Sequence, residues 1–289
     1  MFFFILKLKS NYMRVRQLFL SIALVFVIGN SMAQEYCIGV LSGLPFKDSV
    51  SVFAQTAFIR KEASLNSEVV DSVSMGSWLK VVPNQYDNLK LVRVSGYDSY
   101  WLPVIYQNDG QARRGFVWSG SLAITDNRMD DKRFMVGMGY ITSTSDQSDV
   151  IVKCKMLDNA SNELWTEKLN IGHEAISLNT NMWDGMGLSN IQNVVRVISS
   201  GEACGVPTNY NYFGWTGSTM VRLPSRYSVA DAGSYYYEEA FIFPSEKGGN
   251  PNVIIKTVKS EEYDENDKPI KKKSSKSEFV WDGKTWKAI

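Results

Sequence analysis

"RRGFVWSGSL" (residues 113–122) carries the clearest fold signal in the chain. Two arginines lead into Phe116-Val117-Trp118, a tight run of the aromatic and β-branched residues that fit a pleated, half-buried surface. Ser119-Gly120-Ser121 interrupts that run, and Leu122 restores an apolar side chain. Upstream, Trp101-Leu102-Pro103-Val104 is a second apolar run, and Asn108-Asp109-Gly110 between the two is hairpin-turn chemistry. The stretch is therefore expected to be the closing arm of a small barrel, with Gly115 at the turn into it and Leu122 sealing the core.

The same punctuation recurs along the chain. Short runs rich in Val, Ile, Thr, Tyr, Phe and Trp alternate with turn clusters such as Asp184-Gly185, Gly248-Gly249-Asn250 and Asp282-Gly283. The nearest thing to a helical period, Leu188 to Ile198, contains Val194-Val195-Arg196-Val197-Ile198, which fits a strand equally well. The expected class is all-β: a small N-terminal barrel followed by an antiparallel β-rich domain. Residues 125–133, polar and charged between two apolar regions, are read as a linker. The expected units are a signal at 1–33, an N-terminal segment at 34–52, the barrel at 53–124 and the C-terminal domain at 134–289. Within the last, Glu261 to Lys276 reads as a solvated hairpin arm whose acidic and basic halves face each other across a turn.

Residues 1–33 read as an export signal. Lys7, Lys9, Arg14 and Arg16 form a basic lead, Leu18 to Ile28 an apolar core, and Ser31-Met32-Ala33 a small-x-small cleavage pattern. The apolar core is shorter than the roughly 20 residues a spanning helix needs, and no other stretch is long enough. A periplasmic or extracellular location follows. Loss of those four cations takes the chain from 31 basic against 30 acidic residues to 27 against 30. Neither nucleic acid nor an anionic membrane finds an electrostatic footprint in that balance. The cysteines are Cys37, Cys154 and Cys204; in an oxidising compartment the natural arithmetic is one pair and one leftover. Cys154 with Cys204 is the expected disulfide, and three reduced cysteines the alternative.

Residues 53–122 resemble a bacterial Src-homology-3-like (SH3b) domain. The resemblance rests on Ala57-Phe58-Ile59-Arg60, the Ser-rich loop to Ser67, Val70 and Gly76 at the spacing of a turn, Trp78 to Val82, Trp101 to Val104, Gly110, Gly115-Phe116-Val117 and Leu122. Two features depart from the pattern: Phe116 stands where the family usually has Trp, and Leu89 to Val94 adds a strand-like segment that implies an extra hairpin. The resemblance implies binding without chemistry, with a peptidoglycan peptide or an envelope protein as partner. Tyr97, Tyr100, Trp101 and Trp118 are the candidate ligand-binding aromatics, because such rings offer a rigid face and a polar handle. Trp101 and Trp118 have core packing as their competing role, whereas Tyr97 and Tyr100, beside Gly96 and Asp98, are expected in an exposed loop. The C-terminal half resembles no family.

Catalytic constellations are not legible. The single histidine, His173, precedes Cys204, the wrong order for a wall-peptide cysteine peptidase, and it cannot supply a zinc site that needs two or three histidines. Neither a Gly-x-Ser-x-Gly elbow nor a Gly-rich phosphate cradle is present, so no catalytic residue, metal ligand or cofactor is assigned. Paired carboxylates for glycoside hydrolysis stay open, since sequence does not give their separation. A non-enzymatic exported binding protein is the leading expectation. A wall hydrolase with a carboxylate site in the C-terminal domain, or a subunit of an envelope complex, are the alternatives. "NYNYFGWTGSTMVRLP" (209–224) and "SYYYEEAFIFP" (234–244) add a candidate aromatic platform for sugar or peptide, with sheet-core packing as its competing role and Tyr210, Tyr212 and Trp215 on related faces.

Overall fold

The computed structural model describes residues 48–82, 91–143, 148–201, 203–266 and 268–289. The signal at 1–33 and Cys37 lie outside the described residues. What is described is almost entirely strand, and every strand pairing is antiparallel, as the alternation and turn chemistry required. No helix among the described residues is long and apolar enough to cross a membrane.

The first sheet has seven strands: β1 (Ser49–Ser51), β2 (Thr56–Arg60), β3 (Val69–Ser74), β4 (Trp78–Val81), β5 (Leu91–Val94), β6 (Tyr97–Asn108) and β7 (Gln111–Trp118), in the order β1-β4-β6-β7-β2-β3 with β5 on β6. β6 and β7 form a hairpin whose two-residue turn, Asp109-Gly110, has both residues at positive φ (51° and 73°). This mirror-image turn matches the strand twist, and Asp-Gly tolerates it. Ser95-Gly96 repeats the device between β5 and β6, so the extra hairpin implied by Leu89 to Val94 is present in its Leu91–Val94 part. Gly115 is not at a turn. It lies inside β7, where a Cβ would stand 2.4 Å from Ile59 Cγ2 and 3.0 Å from the Arg60 carbonyl, so glycine is what lets β2 approach β7. Leu122 is buried with Ile59, Leu79, Leu102, Val104 and Val117 and seals this core as expected.

The stretch read as a linker is a hairpin. β8 (Ala123–Met129) and β9 (Lys132–Ser143) pair across it, and with β10 (Ser148–Asp158) and β11 (Glu163–Asn170) they make a four-stranded sheet in the order β11-β10-β9-β8. Its charges are present for a reason other than solvation. Arg133 is buried and donates from Nε to both Asp126 carboxylate oxygens (2.8 and 3.0 Å), from Nη2 to the same carboxylate, and from Nη1 to the Gly76 carbonyl (2.6 Å). Its guanidinium also lies over the Trp78 ring. Lys155, also enclosed, donates to the Phe53 carbonyl (3.3 Å) and pairs with Glu163 (2.9 Å). Each cation joins the four-stranded sheet to the first, around Phe53, Met75, Ala123, Met135 and Leu157. A buried ion pair of this kind contributes little against an apolar replacement but is costly to break from one side.

The third sheet has nine strands: β12 (Ser177–Asp184), β13 (Asn193–Ser200), β14 (Thr208–Trp215), β15 (Met220–Arg222), β16 (Arg226–Asp231), β17 (Tyr235–Ile242), β18 (Val253–Tyr263), β19 (Pro269–Trp281) and β20 (Trp286–Ala288). Val194 to Ile198 is strand, settling the ambiguity in that run. Phe213 and Trp215 enter the core shared with the four-stranded sheet, whereas Tyr212 packs with Phe241 and Phe243 in a second core. Trp215 therefore does not share a face with Tyr210 and Tyr212: three residues is an odd step along a strand. The β18–β19 arm is a solvated hairpin as expected, with Glu262 opposite Lys271 (2.5 Å) and Glu261 opposite Lys272 (3.1 Å). Exposed pairs like these contribute about 0–1 kcal/mol each.

The expected Cys154–Cys204 disulfide is not formed; both thiols are free. Cys154 points from β10 into the core, where burial, and secondarily the Glu167 carboxylate, pushes its thiol up to about 12, and Cys204 is in an exposed turn.

Candidate functional site

The four aromatics singled out in the first sheet do come together. Trp101 and Trp118 are directly opposite on β6 and β7, and the Tyr97 and Trp118 rings lie 5.1 Å apart. Tyr97 is only 3% exposed and Trp101 5%. The expected exposed loop is instead the start of β6. Burial pushes the Tyr97 phenol well above the ordinary tyrosine range, and its hydroxyl donates to the Gly120 carbonyl (3.3 Å). Tyr100 is half-buried against the core of the same sheet, and its N–H donates to Ser119 Oγ (2.9 Å). The Ser99 and Ser119 hydroxyls are hydrogen-bonded to each other. Trp118 folds over the Ser-Gly-Ser turn so closely that a Cβ on Gly120 would stand 2.3 Å from its ring. The indole N–H groups of both tryptophans are buried without an acceptor among the described residues. The cluster thus holds this end of the sheet together, and its rings present little face to a ligand.

The open aromatics lie on the nine-stranded sheet. A cavity of 440 Å³ is lined by Asn209, Tyr210 and Asn211 from β14, Arg226 and Tyr227 from β16, Glu239 from β17 and Lys256 from β18, with Asn170 to Gly172 closing one side. Alternation explains part of this lining, because Tyr210 and Arg226 are cross-strand partners and hence on one face. The Arg226 guanidinium sits 3.7 Å from the Tyr210 ring centre, and it donates to Tyr212 Oη (3.2 Å) and to the Glu239 carbonyl (2.8 Å). Tyr227, 39% exposed, stacks on Tyr237 at 4.8 Å and 20°, and Tyr235 continues the ladder.

Glu239 anchors this site from below. At 5% exposure its carboxylate accepts from Tyr237 Oη (2.8 Å), Lys256 Nζ (2.8 Å) and the Tyr227 N–H (3.1 Å). Burial raises its pKa, but these donors together outweigh burial and hold it below the usual glutamate range. The Tyr237 phenol is raised by burial and by that same hydrogen bond. An ionised glutamate with three donors holds the tyrosine ladder and Lys256 in place; it has no proton to give as a general acid. It is also the only carboxylate among the residues that line this cavity. By contrast, Asn209 and Asn211 line the cavity with their side-chain amides uncommitted to hydrogen bonds among the described residues.

No family model matches this chain, nor does a curated protein or a solved structure. The chemistry must therefore be read from the molecule itself: aromatic faces, uncommitted amides and cations around an open cavity. Of this set the sequence singled out Tyr210, with Asn209, Asn211 and Glu239 falling inside the two aromatic stretches without a role assigned. Arg226, Glu239 and Lys256 carry no motif, and pairing across strands distant in sequence brings them together.

Proposed function

We propose that the chain is an exported, non-enzymatic binding protein of the cell envelope. In this reading the first sheet is an SH3-like barrel acting as a packed module. The ligand, a peptidoglycan fragment or a related envelope saccharide, is taken by the cavity on the nine-stranded sheet. The observation that carries it is Tyr227 beside its cross-strand partner Asn209 and, on the same face, Asn211, with both amides uncommitted among the described residues, at an open cavity of 440 Å³, well within the roughly 300–1,000 Å³ of small-molecule sites. Tyrosine rings suit the apolar face of a sugar or a peptide, and amides suit its hydroxyl and amide groups.

Sedimentation of the purified protein with insoluble peptidoglycan tests this. Wild type is expected in the pellet, and Tyr227→Ala combined with Asn209→Ala is expected to cut retention about tenfold, the loss of roughly one good contact. Retention unchanged by that double variant moves the ligand elsewhere, and no retention of wild type rejects the wall as ligand. The wall-hydrolase alternative is separated by following release of soluble muropeptides, which the proposal expects to be nil. The ionised, saturated state of Glu239 supports the binding reading over hydrolysis at this cavity.

A further inference from the structure

A second cavity, of 280 Å³, adjoins the first at Arg226 and has a different chemistry. Trp183, Met186, Tyr212, Phe241 and Phe243 line it together with Arg196, Arg226 and Glu246. Arg196 lies with its guanidinium 4.9 Å from the Trp183 ring centre and 5.7 Å from that of Tyr210, so it and Arg226 stack on the same tyrosine. Both arginines are half-buried, and neither has a carboxylate within ion-pair distance among the described residues; Arg133 and Arg222, by contrast, are each paired. Arg196 donates from Nη2 to Asn181 Oδ1 (2.9 Å), and its Nε–H is buried with no acceptor among the described residues. Two partly desolvated positive charges therefore line one aromatic cavity against the single carboxylate of Glu246, which forms no ion pair with either among the described residues.

We propose that this cavity binds a small monocarboxylate with an apolar or aromatic body, its carboxylate held by Arg196 and Arg226. Guanidinium forks match a carboxylate through paired, charge-assisted hydrogen bonds, and Phe241, Phe243, Met186 and Trp183 take the apolar body. Glu246 lines the same cavity, its carboxylate accepting from the Phe243 N–H (2.7 Å). A second negative charge on the ligand meets that glutamate, which selects a monoanion over a phosphate or dicarboxylate. The cavity volume, just below the roughly 300–1,000 Å³ of drug-sized small-molecule sites, limits the ligand to one ring or a short chain.

Isothermal titration of the purified protein with 3-phenylpropionate, and with 3-phenylpropionamide as the neutral isostere, tests the site. The carboxylate is expected to bind saturably, the amide about tenfold more weakly or not at all, and Arg196→Gln is expected to lose about the same factor for the carboxylate. Arg196→Lys, which keeps the charge but not the fork, falls between. Glu246→Gln is expected to tighten the carboxylate by a few-fold, a gain that a misfolded variant does not produce. Equal binding of acid and amide, binding unaltered in Arg196→Gln, or absence of saturable binding by wild type overturns the proposal. Arg196 and Glu246 line this cavity and not the first, so peptidoglycan retention measured on the same variants separates failure here from failure of the envelope-binding reading.

Discussion

The Tyr97, Tyr100, Trp101 and Trp118 cluster on the first sheet and the Tyr210, Tyr227, Tyr235 and Tyr237 group on the third use the same kinds of residue to opposite ends. In the first, Tyr97 and Trp118 pack on each other and Trp118 closes over the Ser-Gly-Ser turn; the Tyr97 hydroxyl is spent on Gly120, and both indole N–H groups are buried without an acceptor among the described residues. In the second, the rings line an open cavity or stack in a half-exposed ladder, positioned by the ionised Glu239 beneath. The difference is one of enclosure. Tyr97 and Trp101 on β6 are 3% and 5% exposed, whereas Tyr227 on β16 is 39% exposed. Aromatic density in a sequence therefore indicates large contact area without saying whether that area faces the protein or a ligand.

Four substitutions can break or sharpen this contrast. The largest effect is expected from Trp101→Ala, which empties a nearly enclosed site and is expected to lower the unfolding free energy by about 3–5 kcal/mol in denaturant titration. A cost near zero removes the packing role assigned to the first cluster. Glu239→Gln strips the charge from the carboxylate that pairs with Lys256 and is expected to cost about 3 kcal/mol, with retention on peptidoglycan falling alongside.

The pH dependence follows from the sign of the Glu239 shift. Its folded pKa lies below the unfolded value, so its stabilisation is complete above the ordinary glutamate pKa and is lost as pH falls through the folded one. Wild-type stability is expected to decline on acidification below about pH 4.5, and the Glu239→Gln profile to be flatter in that window. Equal slopes refute the assignment. Tyr97→Phe removes one hydrogen bond and keeps the ring; about 1 kcal/mol is expected by thermal denaturation, without change in peptidoglycan retention. Smallest in stability is Tyr227→Ala, expected within about 0.5–1 kcal/mol of wild type because the ring is exposed, yet with a measurable loss of retention. If Tyr97→Phe weakens retention and Tyr227→Ala does not, the two clusters exchange roles.

Strand-forming composition, alternation and turn chemistry are enough to make the all-β class legible in the sequence. They also locate individual features: Asp109-Gly110 is where a two-residue turn belongs, Leu122 is in the core, and the charges of Glu261 to Lys276 pair across a hairpin. Local signals of this kind are self-contained, because the few residues of a turn or a cross-strand pair decide their own geometry. The departures share a cause. Residues 125–133 pair instead of linking, because a buried Arg133–Asp126 pair looks, in sequence, like any solvated charge run. Gly115 is a contact point between β7 and β2 where its neighbours in sequence suggest a turn. Pairing Cys154 with Cys204 by counting ignores that one is deep in a core and the other in an exposed turn.

What the sequence determined by itself is the repertoire: antiparallel strands, their turns, and a chain dense in aromatics. Only the tertiary structure decided which aromatics are enclosed and which are open. It alone brought Arg196 and Arg226 onto one tyrosine and placed Glu239 beneath Tyr237 and Lys256. The physical reason is range. Turn and strand preferences act over about two to eight neighbouring residues, whereas burial and charge pairing depend on strands as far apart as β13 and β18, whose approach no local pattern encodes.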